Sequence, residues 1–276
     1  MIKKMIIPND TSINDDVIIC NRDMIICSYS EIHRGLIGEN IFIGDMVNIK
    51  GGIRTYNDLR VGYFSILSGD VYVDGDAYLS DRIKINGKLV LGGNLDIGDD
   101  VRIDGGFESK GWIIIRDPIP FILFIFLYLS VILRIHRKSI DIDLSLNGNS
   151  YKDADDIKEL SSLDFTDVDK NSSRLDIFLC PESTYIGEKN LIVDTSLEIG
   201  ERCSIYCSID ADNVFVKKGS VIDGDIVSHN DIIIEEDSKV RGNLKASGRV
   251  IINKNATIFG KIKAKEIIIN PDFVES

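Results

Sequence analysis

Apolar residues return along this chain in pairs, each pair split by one intervening position, and the pairs recur every 18 residues. One series is Ile41/Ile43, Leu59/Val61, Ala77/Leu79, Leu95/Ile97 and Ile113/Ile115. A second is Val47/Ile49, Ser65/Leu67, Ile83/Ile85 and Val101/Ile103. A third starts at Ile53, Val71, Leu89 and Phe107, with Thr55, Val73, Leu91 and Ser109 two residues on. Alternation with period two puts both members of a pair on one side of a strand. Three short strands per 18-residue coil, six residues to a side, predict a triangular β-helix with the pairs inside. Its coils stack about 4.8 Å apart through parallel ladder hydrogen bonds. Gly51, Gly69, Gly87 and Gly105 keep the same period and mark a point where the chain must bend or approach its neighbour closely.

The pattern appears twice. Leu197/Ile199, Val214/Val216, Ile232/Ile234, Val250/Ile252 and Ile267/Ile269 follow at gaps of 17, 18, 18 and 17, with Gly224, Gly242 and Gly260 in step. The predicted fold class is therefore all-β, a solenoid in two blocks. Block 1 covers residues 1–115 and block 2 residues 175–276, with an apolar segment and acidic linker over 116–174 between them. The less regular residues before Ile41 and from Leu175 to Asp194 are expected to act as caps or joins.

The intervening segment opens with Asp117-Pro118-Ile119-Pro120, which stops a strand. From Pro118 to Leu133 run 16 uncharged residues, including Phe121, Ile122, Phe124, Ile125, Phe126 and Leu129. As a helix this run is about 24 Å long, short of a bilayer core of about 30 Å. Arg134, Arg137 and Lys138 follow at once and suit anionic headgroups. Two readings stand: monotopic or re-entrant insertion in a membrane, or a helix buried against the solenoid or a partner chain. Asp141 to Arg174 is polar and acidic and reads as a linker.

Composition narrows the function. The chain has 276 residues and a net charge of −12, which disfavours general binding to nucleic acid. The five cysteines form no C-x-x-C pair, so neither a disulfide framework nor a zinc site is expected. By the repeat, Cys203 and Cys207 point inward as small buried thiols. The apolar run at Met1–Pro8 is too short for a signal peptide, which makes a cytoplasmic location the expectation. His33, His136 and His229 are expected to be ordinary surface residues, and no catalytic, cofactor-binding or metal-binding residues are expected.

Three phrases of the second block carry a family likeness: Val221-Ile222-Asp223-Gly224-Asp225-Ile226, Lys239-Val240-Arg241-Gly242-Asn243-Leu244 and Thr257-Ile258-Phe259-Gly260-Lys261-Ile262. Each is followed by a small residue, Ser228, Ala246 or Ala264. Over roughly 197–270, and more loosely 38–115, the chain resembles the bactofilins, the polymer-forming cytoskeletal proteins. The resemblance implies a right-handed β-helix that polymerises end to end without cofactor, as a scaffold commonly at the membrane. It further implies a non-enzymatic role in cell shape or organisation at the inner face of the cell membrane, with the chain itself and an anionic membrane surface as partners. The two solenoid stretches and the internal apolar segment depart from the single-domain plan of that family. Two alternatives remain: a hexapeptide-repeat acyltransferase, suggested by phrases such as Ile43-Gly44-x-x-Val47-x-Ile49, and a solenoid protein-binding module.

Outward positions carry the candidate sites. Phe215, Ile233, Ile251 and Ile268 lie between inward pairs and predict an outward apolar ladder suited to an interface. The equivalent upstream residues, Phe42, Arg60, Tyr78, Asp96 and Ile114, are mixed. Between Lys239 and Lys265 stand eight Lys or Arg and no acid, and Lys245, Lys254, Lys261 and Lys263 are the candidates for an anionic partner. Phe273, beyond the last coil, is the candidate anchor for self-association.

Overall fold

A computed structural model describes residues 4–115, 177–181 and 184–270. The candidate membrane residues, the expected helical segment, His136 and Phe273 lie outside them. The described residues form 35 short strands, numbered β1–β35 in chain order, and no helix. The strands line up in three sheets: sheet A with 13 strands, and sheets B and C with 11 each. Most neighbours in each sheet are parallel and about 18 residues apart, as in Leu59↔Ala77, Ile66↔Lys84 and Val71↔Leu89. A triangular β-solenoid of about 11 coils results.

The inward pairs make the core. Ile41, Leu59, Ala77 and Leu95 are fully buried, as are Ile49, Leu67 and Ile85 and, downstream, Ile222 and Val240. Ile103 and Ile258, at the two ends of their stacks, are only half-buried and pack against that core. The recurring glycines answer to close approach of coils: a Cβ on Gly69 would sit 2.5 Å from the Gly52 nitrogen, and one on Gly242 2.2 Å from the Gly224 oxygen. A different corner, just after each sheet A strand, holds left-handed residues: Met46, Phe64, Arg82 and Asp100 upstream have φ between 52° and 58°. Most of them are not glycine, and the conformation costs each about 1–2 kcal/mol. It is held by the ladder, since the Met46 and Arg82 amides donate to Tyr63 and Asp99 of the next coil at 2.8 and 2.7 Å.

The corner aspartates are more than turn formers. Asp58 Oδ1 accepts from the Asp76 amide at 2.9 Å, Asp76 Oδ1 from Asn94 at 2.6 Å, and Asn94 Oδ1 from Trp112 at 2.9 Å. Asp225 and Asn243 repeat the device downstream. Each side chain satisfies a corner amide that no strand neighbour can reach, which stitches the coils along the edge of the prism.

The two stacks meet end to end, and the meeting is woven. Sheet A runs from β4 (Asp23–Ile26) to β20 (Ile177–Cys180), then β1 (Lys4–Ile7), then β23 (Ser196–Ile199). β20 is parallel to β4 and β1 is parallel to β23, but β1 and β20 are antiparallel, with Ile6 opposite Leu179. In sheet B the reversal falls between β2 (Ser12–Ile13) and β3 (Val17–Ile19). In sheet C it falls between β21 (Tyr185–Ile186) and β22 (Asn190–Ile192). Residues 4–13 thus lie in the downstream stack and 177–186 in the upstream one, and the chain crosses the seam at each hairpin. Upstream coils visit the sheets in the order A, C, B, downstream coils in the order A, B, C. Since the two stacks also advance in opposite directions from the seam, they share one hand.

Arg34 sits at this seam and is fully buried. Its Nε donates to the Gly187 carbonyl at 2.9 Å and its Nη2 to the Glu188 carbonyl at 2.5 Å. Both acceptors belong to the hairpin turn between β21 and β22, so one side chain ties the crossing to the upstream stack. Its Nη1 has no hydrogen-bond partner among the described residues.

Candidate functional site

The outward ladder of sheet A follows from strand register. Phe215 is paired with Ile233, Ile233 with Ile251 and Ile251 with Ile268. All four are half-buried, covering one another along the column. The column continues past the predicted four: Glu198 is opposite Phe215, Ile6 opposite Glu198, and Leu179, Ile25 and Phe42 follow across the seam. Lys4 forms a close ion pair with Glu198, the only polar member between Ile268 and Phe42, and its ammonium lies 5.9 Å from the Phe215 ring centre. Burial and the nearby Lys217 hold the Lys4 ammonium below its ordinary pKa. Beyond Phe42 the column turns polar, with Arg60 over the Tyr78 ring at 4.7 Å and then Asp96.

The basic residues divide. Lys245 and Lys263 are direct neighbours on sheet C, and Lys261 lies at the adjoining corner. Among the described residues, no acid lies within ion-pairing distance of these three. Arg241 and Arg249 are engaged with Asp223 and Asp231, each at 2.8 Å. Lys254 stands at the corner between sheets A and B, apart from the sheet C group.

The histidines are placed differently from one another. His229 is exposed, 3.6 Å from Asp210. His33 is half-buried rather than a plain surface residue: Nε2 lies 2.7 Å from Glu31 Oε1, Lys50 Nζ is 2.6 Å away, and the ring meets Tyr185 edge-on at 5.1 Å. The His33 and Lys50 hydrogen bonds hold the Glu31 carboxyl below its ordinary pKa. The cluster spans β5 (Glu31–Ile32) and β21, which pair on the upstream side of the seam although they are remote in sequence, so linear spacing gave no sign of it. No group of three or more potential metal ligands occurs among the described residues.

All five cysteines lie near the seam and none is in a disulfide. Cys203 and Cys207 point inward, as their place in the repeat predicts, and burial pushes each thiol up to about 11. Cys180, fully buried, is pushed up to about 12 by the same cause. Such thiols are packing groups rather than nucleophiles.

At the two far ends the sheets stop on open strands. Upstream these are β17 (Arg102–Ile103), β18 (Phe107–Ser109) and β19 (Ile113–Ile115), and downstream β33 (Thr257–Ile258), β34 (Ile262–Lys263) and β35 (Glu266–Ile269). Each has a strand neighbour on one side only among the described residues. Apolar side chains surface there, with Trp112 82% exposed and Ile269 67%.

The described solenoid thus carries open strand edges at both far ends and an outward, largely apolar column on sheet A. Residues 214–274 match the family model Bactofilin, described as polymer-forming cytoskeletal. The match runs from β26 (Val214–Val216) to beyond the last described strand and covers part of the downstream stack. No curated protein and no solved structure matches the chain.

Proposed function

We propose that this protein is a non-enzymatic cytoskeletal scaffold that self-associates through its solenoid rod. We further propose that residues 119–133 hold it at the inner face of the cell membrane, in the service of cell shape or organisation. The observation that carries the reading is the match of residues 214–274 to a polymer-forming family. Physical support comes from the rod ends, where unpaired strand edges offer ladder hydrogen bonds to another coil. The uncharged run to Leu133, followed by Arg134, Arg137 and Lys138, supports the membrane part. Lys245, Lys261 and Lys263 offer a second anionic contact from the rod itself.

Negative-stain microscopy and light scattering of the purified chain, with and without liposomes containing phosphatidylserine, test both parts. Filaments or large particles are expected, and they should float with the liposomes. Deleting residues 119–133 should release the rod from liposomes and leave its strand signal in circular dichroism intact. A deletion variant that still floats would place the anchor elsewhere, and one that aggregates would favour burial of the segment against protein. A wild type that remains monomeric at high concentration would sink the scaffold reading in favour of a binding module using the sheet A column.

A further inference from the structure

The two rod ends differ in charge. The last upstream coil, residues 98–115, carries Asp99, Asp100, Asp104 and Glu108 against Arg102 and Lys110, a net charge of −2. The last downstream coil, residues 253–270, carries Lys254, Lys261, Lys263 and Lys265 against Glu266, a net charge of +3. Like ends brought together would therefore repel, and unlike ends attract.

The seam shows how two such ends fit. There the sheets continue A on A, B on B and C on C, with the strands antiparallel across the join. Because the strands already reverse at the seam, a translated second copy presents its downstream end to the upstream end of the first with strands again antiparallel. Ile114 stands in the column of Leu179 and Ile268 in the column of Ile6, the two columns that face each other at the seam. Their meeting would continue the sheet A apolar column.

Two of the three corners bring unlike charges together. Asp99 is at the corner between sheets A and C, where the downstream end has Lys265. Asp104 is at the corner between B and C, where the downstream end has Lys261. Against this, Lys110 and Lys254 would meet with like charge at the corner between A and B, and Arg102 and Lys263 on sheet C. Arg102 is already turned onto Asp100 at 3.5 Å and Asp104 lies 3.7 Å from Lys84, so the preference for unlike ends rests on the net charges of the two coils.

We infer that the chain polymerises head to tail, the acidic upstream end of one copy docking on the basic downstream end of the next, to give a polar filament. The inference rests on the scaffold reading and specifies its contact.

Site-directed cross-linking of the full chain tests it. In a Cys27→Ser background, which removes the one thiol that is not buried, Asp104→Cys and Lys261→Cys are made singly. One of the two carries a size tag. The variants are mixed in equal amounts and oxidised mildly. The mixed disulfide dimer is expected to exceed either same-variant dimer by about tenfold, and to fade as salt rises. Same-variant dimers in equal or greater yield, or no cross-link while light scattering still reports large particles, would overturn the head-to-tail contact and leave the scaffold reading standing. Monomeric protein by light scattering before any oxidation would instead overturn the scaffold reading and this inference together. Charge reversal gives a second readout. Asp99→Lys with Asp104→Lys should abolish large particles, and adding Lys261→Glu with Lys265→Glu to the same chain should restore them. Failure to restore, in variants with an unchanged strand signal, counts against the contact.

Discussion

The seam and the rod ends pose the same physical problem, the last coil of a parallel solenoid with one edge unpaired, and this chain solves it in two ways. At the seam, each stack's final coil is completed by residues from far away in sequence: 177–186 close the upstream stack and 4–13 the downstream one. Antiparallel pairing then joins the two edges, and Ile6-side and Leu179-side strands become interior. At the far ends no described residue completes the coil, and Ile113, Ile115, Ile267 and Ile269 stay exposed where their counterparts inside the rod are buried. A solenoid edge is thus equally able to be closed within the chain or left for another molecule. Which happens depends on what the chain brings to it.

The largest expected effect separates seam from end directly. Ile13 is fully buried at the seam, whereas Ile258 is half-buried in the last downstream coil. Ile13→Asp should destabilise the rod by about 3 kcal/mol or more, because an unpaired charge is forced inside. Leu67→Asp and Val240→Asp belong to the same class, since both positions are fully buried. Ile258→Asp should cost about 1 kcal/mol, since water reaches it. Urea denaturation followed by circular dichroism measures the difference, and equal losses at Ile13 and Ile258 would erase the distinction between closed and open edges.

Arg34 sharpens the comparison from the seam side. Removing it with Arg34→Ala leaves the carbonyls of Gly187, which is buried, and Glu188, which is exposed, without their donor. A cost of about 2 kcal/mol is expected. Arg34→Met, which keeps the volume and removes the buried charge, should recover part of that loss. Hydrogen exchange should show the faster opening concentrated in residues 184–192 and the adjoining upstream coil. Uniform opening along the rod would deny Arg34 a local role.

A smaller effect is expected from the sheet A column. Ile233→Lys interrupts a half-buried ladder without entering the core. Its stability cost should be about 0.5 kcal/mol, the scale of one cross-strand apolar pair. Lateral association of filaments, if the column mediates it, should fall; bundle width in negative stain reads this, and unchanged bundles would free the column from that role.

The smallest effect is electrostatic. Asp10 and Arg202 form an exposed two-pronged ion pair, at 2.7 and 2.9 Å, that fastens the N-terminal segment to the downstream stack. The Arg202 hydrogen bond holds the Asp10 carboxyl below its ordinary pKa of 3.8. A carboxyl depressed in the folded state contributes stability above its unfolded pKa, and that contribution disappears as pH falls through the folded value. Asp10→Asn should therefore lower the melting temperature slightly at neutral pH and converge with wild type in acid. A gap that widened in acid would contradict the sign of the shift.

Periodicity carried most of the architecture. The alternating pairs from Ile41 to Leu95 and from Leu197 to Ile252 translate directly into buried and outward positions, because a strand's side chains alternate whatever its neighbours do, and the end pairs Ile113/Ile115 and Ile267/Ile269, which lack a covering coil among the described residues, stay exposed. Cys203 and Cys207 were placed inward on the same ground. The candidate ladder was legible as far as it lay in regular coils, from Phe215 to Ile268, and not where it crosses Ile6, Leu179 and Ile25. Those strands are irregular in spacing, and their partners lie as far apart as Ile6 and Leu179. The half-burial of His33 was not legible for the same reason: its neighbour Tyr185 is remote in sequence.

The 18-residue return of apolar pairs alone settled that this chain coils, how many residues make a turn and which side chains face inward. Local alternation and a constant period are sufficient for those, since each coil repeats the same steric and hydrophobic choice. Only the tertiary structure decided that the two stacks meet head-on, that residues 4–13 and 177–186 exchange places across the seam, and that Arg34 is buried there. These depend on nonlocal strand pairing and on a reversal of strand direction. A two- to four-residue strand carries no record in its own sequence of which edge it will meet.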